Sequence, residues 1–333
     1  MTSSSARVGS VCLSPASRVK SPAALQVIHR FPWFFFALLL LPIVAGCGGL
    51  PGGIGANATP GSSHLLITSS PALLPLVRTA AALYERQHPE AQIDLRSSEN
   101  VDGLSDLVHQ QADIAATIVY ADPAAISAEH MLDQLVCIVP FFIIAHPDVS
   151  LPSLSREQIR GIFSTGAITN WKQLGGPDQK LVALMPPLTS DIRFLFREEA
   201  LGAATEVGTT LPTDSPETLR DMVARTPGSI SYLPGPLLNA RVRAVAIDGE
   251  PATAEQILAG RYAFWSFAHL YTRDTGAAGM QEATGDSGIR ALFLHFMQTT
   301  SVEQLIQQLG YIPLTEMDGS PISASPAAFT TSA

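Results

Sequence analysis

Cysteine is scarce in this chain: three residues among 333, at positions 12, 47 and 137. They lie far apart, so no Cys-x-x-Cys pair offers zinc ligands or a redox motif. Charge is also scarce, at 15% of residues, with a net −9 and no basic run. That balance argues against nucleic acid as a partner. The eight histidines are scattered without ligand spacing; His64, His88, His109 and His146 read as loop or strand-edge residues. Neither a metal nor any other cofactor is expected. No Gly-x-Ser-x-Gly elbow occurs, and no His or Lys base stands in the loops around Ser70 or Ser190. A serine-nucleophile enzyme is therefore not expected.

Apolar residues are plentiful, at 46%, which marks globular sequence. The run "FPWFFFALLLLPIVAGC" (31–47) follows Arg18, Lys20 and Arg30 and ends in small residues. It is short for a bilayer span and has the form of a signal-peptide core. Its ending, "VAGC" (44–47), resembles the bacterial lipobox, which implies that Cys47 is lipidated and becomes the mature N-terminus after residues 1–46 are removed. The alternative is a plain secretory signal with an incidental cysteine. The stretch before residue 27 is long and polar for such a signal, and a start near Val19 or Val27 would suit it better. Cys12 would leave with the signal, and Cys137, inside "LVCIVPFFII", reads as a buried small hydrophobe.

Residues 47–61 form a Gly/Pro/Ser tether, and 317–333 form a low-complexity tail expected to stay loose. Between them strands and helices alternate. "HLLIT" (64–68), "AQIDLRS" (91–97), "ADIAATIV" (112–119), "LVCIVPFFIIAH" (135–146), "KLVALM", "GSISYLP" (228–234) and "RAVAI" (243–247) read as strands. The intervening helices carry start and stop signals: Ser70 ahead of Pro71, Ser155 with Gln158, Ser215 with Pro216, Thr253 with Gln256, and closing glycines at 260 and 310. Leu73, Leu76, Val77, Ala80 and Tyr84 form one inner helical face, and Leu219, Met222 and Val223 another. This alternation implies α/β layers with mostly parallel sheets.

Several stretches together, "LSREQIRGIFSTGAITNWKQLGGPD" (154–178), "TPGSISYLP" (226–234), "AGRYAFWSFAHLYTR" (259–273) and "LGYIPL" (309–314), resemble the PstS-like phosphate-binding family of periplasmic solute-binding proteins. The resemblance covers nearly all of residues 64–314 and is most specific around "ITNW". It implies a two-lobed type II periplasmic binding protein fold with a discontinuous first lobe. The expected division is 62–141 and 247–316 for the first lobe and 142–246 for the second. The expected crossings lie near 139–146 and 230–247, and the cleft floor at 69–71, 98–101 and 188–192. It also implies a monomeric, non-enzymatic protein that binds a small anion (phosphate or a related oxyanion), serves an ABC transporter permease, and is held to a membrane of the bacterial cell envelope by the lipid anchor.

In that family phosphate is held without metal, by hydroxyls and backbone N–H groups at helix N-termini. Carried over position by position, the ligand set here comprises Ser69, Ser70, Asn100, Thr189, Ser190 and Asp191. The match is incomplete. Pro71 and Ile192 stand where the family has threonines, Pro186 where it has arginine, Ile118 where it has a polar ligand, and Asp191 where it has glycine. Ser70 and Ser190 can equally serve as helix caps, Asn100 as a turn residue, and Asp191 as a partner of the helix dipole. The aromatic set Tyr262, Phe264, Trp265, Phe267 and Tyr271 reads as core rather than ligand platform. Weak anion binding is expected, and a membrane-anchored sensor or scaffold of the same fold, with another ligand or none, is the alternative.

Overall fold

The computed structural model describes residues 63–98, 100–211, 215–274 and 286–317. The signal segment, Cys47, the tether and the tail from residue 318 lie outside the described residues. Strands β1 (Ser63–Ser69), β2 (Ala91–Ser97) and β3 (Ile114–Thr117) pair in parallel, with β1 in the middle. Helices α1 (Leu74–Gln87) and α2 (Asn100–Val108) make the crossovers between them. Parallel strands need such crossovers, so the strands' C-terminal ends share one rim. Ser69, Ser97 and Thr117 close the three strands at that rim.

After the short helix α3 (Pro123–Ala128), the fifteen-residue strand β4 (Met131–Ala145) carries the chain into a second set of elements. These are β5 (Ser153–Leu154), α4 (Arg156–Phe163), β6 (Val182–Met185), α5 (Asp191–Leu195), β7 (Thr209–Thr210), α6 (Pro216–Arg225), β8 (Ser229–Pro234) and β9 (Arg243–Ile247). The first part of β4, Met131–Pro140, pairs antiparallel with β10 (Trp265–Arg273), while Phe141–Ala145 pairs with β8. One strand thus serves two lobes. Both β8 and β9 lie on the second-lobe half of β4, and the return to the first lobe follows Ile247 through α7 (Ala254–Leu258). The first lobe is completed by α8 (Asp286–Phe296), α9 (Thr300–Gln308) and β11 (Ile312–Pro313), which pairs with β4.

The crossing point is tightly packed. Gly235 faces Pro140 so closely that an added Cβ would lie 2.8 Å from the proline ring. Phe196 stacks on Tyr232 at 3.9 Å and meets Phe264 edge-on at 5.4 Å, joining the two lobes through aromatic contact. Tyr262, Phe264, Trp265 and Tyr271 are buried core residues. Cys137 is buried in β4, and burial pushes its thiol pKa up, as expected of a small hydrophobe.

Several helix starts agree with the sequence. Ser155 and Gln158 form a complete capping box on α4, and Ser215 and Thr253 cap α6 and α7. Others differ. No side-chain cap starts α1: a turn at 71–73 precedes it, and Pro75 rather than Pro71 occupies its first turn. The Ser70 carbonyl still accepts the Leu74 N–H at 3.0 Å, so it is the side chain, not the backbone, that departs from the expected cap. Ser190 precedes α5 but makes no side-chain cap either. Met222, expected inward, is 37% exposed because α6 turns only Leu219 and Val223 into the core.

Candidate functional site

Three loops meet at the rim of the first sheet. The Ser98 N–H donates to the Ser69 carbonyl at 2.8 Å, joining the loop after β2 to the loop after β1. The Ser70 N–H donates to the Ala116 carbonyl at 2.8 Å, which ties that turn to the end of β3. The Ser70 hydroxyl in turn hydrogen-bonds the Asp191 carboxylate at the start of α5 in the second lobe. Residues 69–70, 98 and 191 are therefore neighbours, although they come from three separate parts of the chain.

The local chemistry shows why these groups are held firmly. Ser69 and Ser70 are both buried, and the Ser69 hydroxyl donates to the Ser70 carbonyl at 3.1 Å. Gly103 lets α2 approach β1: a Cβ there would stand 3.4 Å from the Thr68 methyl. Asn100 opens α2 at this place, and its side chain lies outside the described residues. Thr189 is exposed on the turn before α5. Ser190 is buried but lines a crevice of only about 10 Å³ with Pro186, Ile192, Leu219 and Tyr232. Such a space holds a water at most.

Asp191 is the unusual member. It is 2% exposed, yet its carboxylate accepts the Ile192 N–H at 2.6 Å. Burial raises its pKa to about 6, opposed by hydrogen bonds from the Ser70 hydroxyl, the Ile192 N–H and its own N–H. Burial wins because water solvates an ion better than three donors do. A displacement of this size, from 3.8 to about 6, corresponds to about 3 kcal/mol against the charged form. The adjacent Arg193 is committed elsewhere: it donates to Glu206 at 2.6 Å, to the Pro186 carbonyl at 2.6 Å and to Thr210 at 3.0 Å.

Just beyond α5 the helix widens into a π turn, Phe196–Ala200, a feature that recurs at functional sites. It presents Glu199, whose pKa rises to about 7 through burial and the neighbouring Glu198. Glu199 acts in turn on Tyr120 of the first lobe, whose phenol pKa is pushed up to about 12, first by burial and then by Asp133 and Glu199. Sequence reasoning passed over this pair. The adjacent glutamates at 198 and 199, set in an otherwise apolar helix, were the available signal.

These features match a known class. The PBP superfamily domain matches residues 55–297, so the chain is of the two-lobed binding class. The phosphate-binding protein PstS of Bacillus subtilis is 32% identical over 259 residues, covering 77% of this chain and 82% of that protein. The chain belongs to the PstS-like phosphate-binding family of type II periplasmic solute-binding proteins. These are binding proteins, not enzymes. Among solved structures, a substrate-binding protein with bound phosphate from Clostridium perfringens superposes with a TM-score of 0.67 at 20% identity, covering 75% of this chain and 99% of that one. An ABC-type phosphate transport receptor from Vibrio cholerae gives 0.59 at 23% identity, with 74% and 99% covered. At such identities these two speak for the fold.

Proposed function

We propose that the protein is the lipid-anchored receptor of an ABC-type uptake system and binds phosphate or a related oxyanion, weakly, in the cleft between its lobes. The anchor is Cys47, the tether runs over 47–61, and the body faces the periplasm or the cell exterior. Among the described residues no helix is long and apolar enough to cross a membrane, so the anchor must supply the attachment. The lobes divide at 62–141 with 247–316, and at 142–246. The transporter partner is the ABC permease, and the receptor acts as a monomer.

The observation that carries this reading is the meeting of Ser69, Ser70 and the start of α2 with the α5 mouth, within a family whose relative is a phosphate-binding protein. Ser69, Ser70, Asn100, Thr189, Ser190 and Asp191 are the proposed lining. Weakness follows from what is missing and what is added. Pro71 lacks both N–H and hydroxyl, and Ile192 and Pro186 offer no side-chain donor. An ionised Asp191 would repel a phosphate 4 Å away by about 4 kcal/mol at an effective dielectric near 20. Titration of the mature protein with phosphate in a calorimeter should give a dissociation constant no tighter than about millimolar. Micromolar binding would refute the weak-binding reading.

The burial of Asp191 also favours a second reading, in which the same fold serves as a membrane-anchored sensor or scaffold with another ligand or none. A complete lack of phosphate heat, with an intact fold, would select it. Attachment is tested separately. Processing should be sensitive to globomycin, and Cys47→Ala should be released from the membrane.

A further inference from the structure

The carboxylate of Asp191 is surrounded as a bound oxyanion would be. Its charge is offset by hydrogen-bond donors, the Ile192 N–H, its own N–H and the Ser70 hydroxyl, while the nearest arginine along α5 is turned to Glu206. These donors come from both lobes, since Ser70 ends β1 and Asp191 opens α5. On the first-lobe side the other polar groups are already engaged. The Ser70 N–H serves Ala116, the Ser69 hydroxyl serves the Ser70 carbonyl, and the Ser69 carbonyl serves Ser98. The Ser70 hydroxyl is left to reach across.

We propose that Asp191 is a ligand built into the chain: its carboxylate takes the place of the anion and draws Ser70 onto the α5 mouth, latching the cleft shut in the absence of solute. The inference rests on reading the interlobe cleft as the binding site. An incoming oxyanion must then displace a tethered competitor as well as find donors. A tethered group has a high effective concentration, so even a weak internal contact suppresses an external one. The latch also has a structural brace. Arg193, held to the Pro186 carbonyl, Thr210 and Glu206, fixes the first turn of α5 and so fixes where Asp191 points.

The test is small-angle scattering of the mature protein in phosphate-free buffer, paired with phosphate titration. The unmodified protein should show the same radius of gyration with and without millimolar phosphate. Asp191→Ala should be more expanded when ligand-free, and should bind phosphate at least about tenfold more tightly. Ser70→Ala leaves the Ile192 N–H on the carboxylate, so it preserves the α5 turn should the first variant fold poorly. It should expand likewise, without the gain in affinity. Circular dichroism verifies that each variant is folded.

If neither variant expands, the latch is overturned, whatever phosphate does. Expansion without any phosphate binding would uphold the latch and refute phosphate as the solute. Tighter phosphate binding without expansion would do the reverse.

Discussion

Two helices of the second lobe begin just after a serine, and the two serines behave differently. At α4 the Ser155 hydroxyl accepts the Gln158 N–H at 3.2 Å, and the Gln158 side chain returns to the Ser155 N–H at 2.8 Å. At α5 the Ser190 side chain caps nothing, and the next residue, Asp191, takes the N–H of Ile192 instead. The surroundings account for the difference. The α4 mouth is partly solvated, and two neutral side chains satisfy it at little cost. The α5 mouth is buried against the other lobe, where a charged cap must give up its hydration. A helix start that costs about 3 kcal/mol to ionise is poor design for stability alone. The contrast is the best reason to look for a role in binding or closure.

The comparison is most easily broken at Arg193, which braces α5 and has no counterpart at α4. Its ion pair with Glu206 is nearly sealed, with side chains 6% and 4% exposed. Arg193→Ala should cost roughly 3–5 kcal/mol, because Glu206 is left buried and unpaired. Urea unfolding would measure this, and a loss under about 1 kcal/mol would mean that α5 needs no such brace.

The next effect is one of pH. Asp191 has its folded pKa raised to about 6, above the ordinary 3.8, so the folded state holds the proton more tightly than the unfolded chain. Its contribution to stability is therefore full below about pH 4 and is lost as pH rises through 6. Asp191→Asn removes this dependence. The stability difference between variant and parent should shift by about 2–3 kcal/mol from pH 4 to pH 7.5, in favour of the variant at the higher pH. A difference that stays flat with pH would mean that the carboxylate is solvated in solution.

The smaller effects separate the two serines. Ser155→Ala should lower stability by about 1 kcal/mol, the usual worth of a cap. Ser190→Ala should change it by less than about 0.5 kcal/mol, because no cap is lost. Equal effects at both positions would erase the distinction between the two mouths.

Where satisfaction is local, the sequence was easy to read. "SREQ" (155–158) contains its whole capping box, "RAVAI" (243–247) coincides with β9, and "AQIDLRS" (91–97) coincides with β2. Positions whose partners lie far along the chain were harder. Ser70 and Asp191 are 121 positions apart in numbering, and nothing in either stretch shows that one will reach the other. His269, sealed in β10 with its ring against both oxygens of Asp133 at 2.9 Å, gave no local sign either. The two-lobed class was legible because many stretches support it together. The lining was legible as a set of places, while the direction of each side chain depended on the closing of the lobes.

The long strand β4 has a mechanical consequence. It is hydrogen-bonded to β10 through Pro140 and to β8 from Phe141 onward, with no break between. Neither lobe can lose its sheet without stripping a neighbour from a strand that the other lobe also needs. The molecule has no seam along which heat could take one half first, so a calorimetric scan should show a single cooperative transition. The lobes can tilt about this shared spine to admit a solute, but they should melt as one.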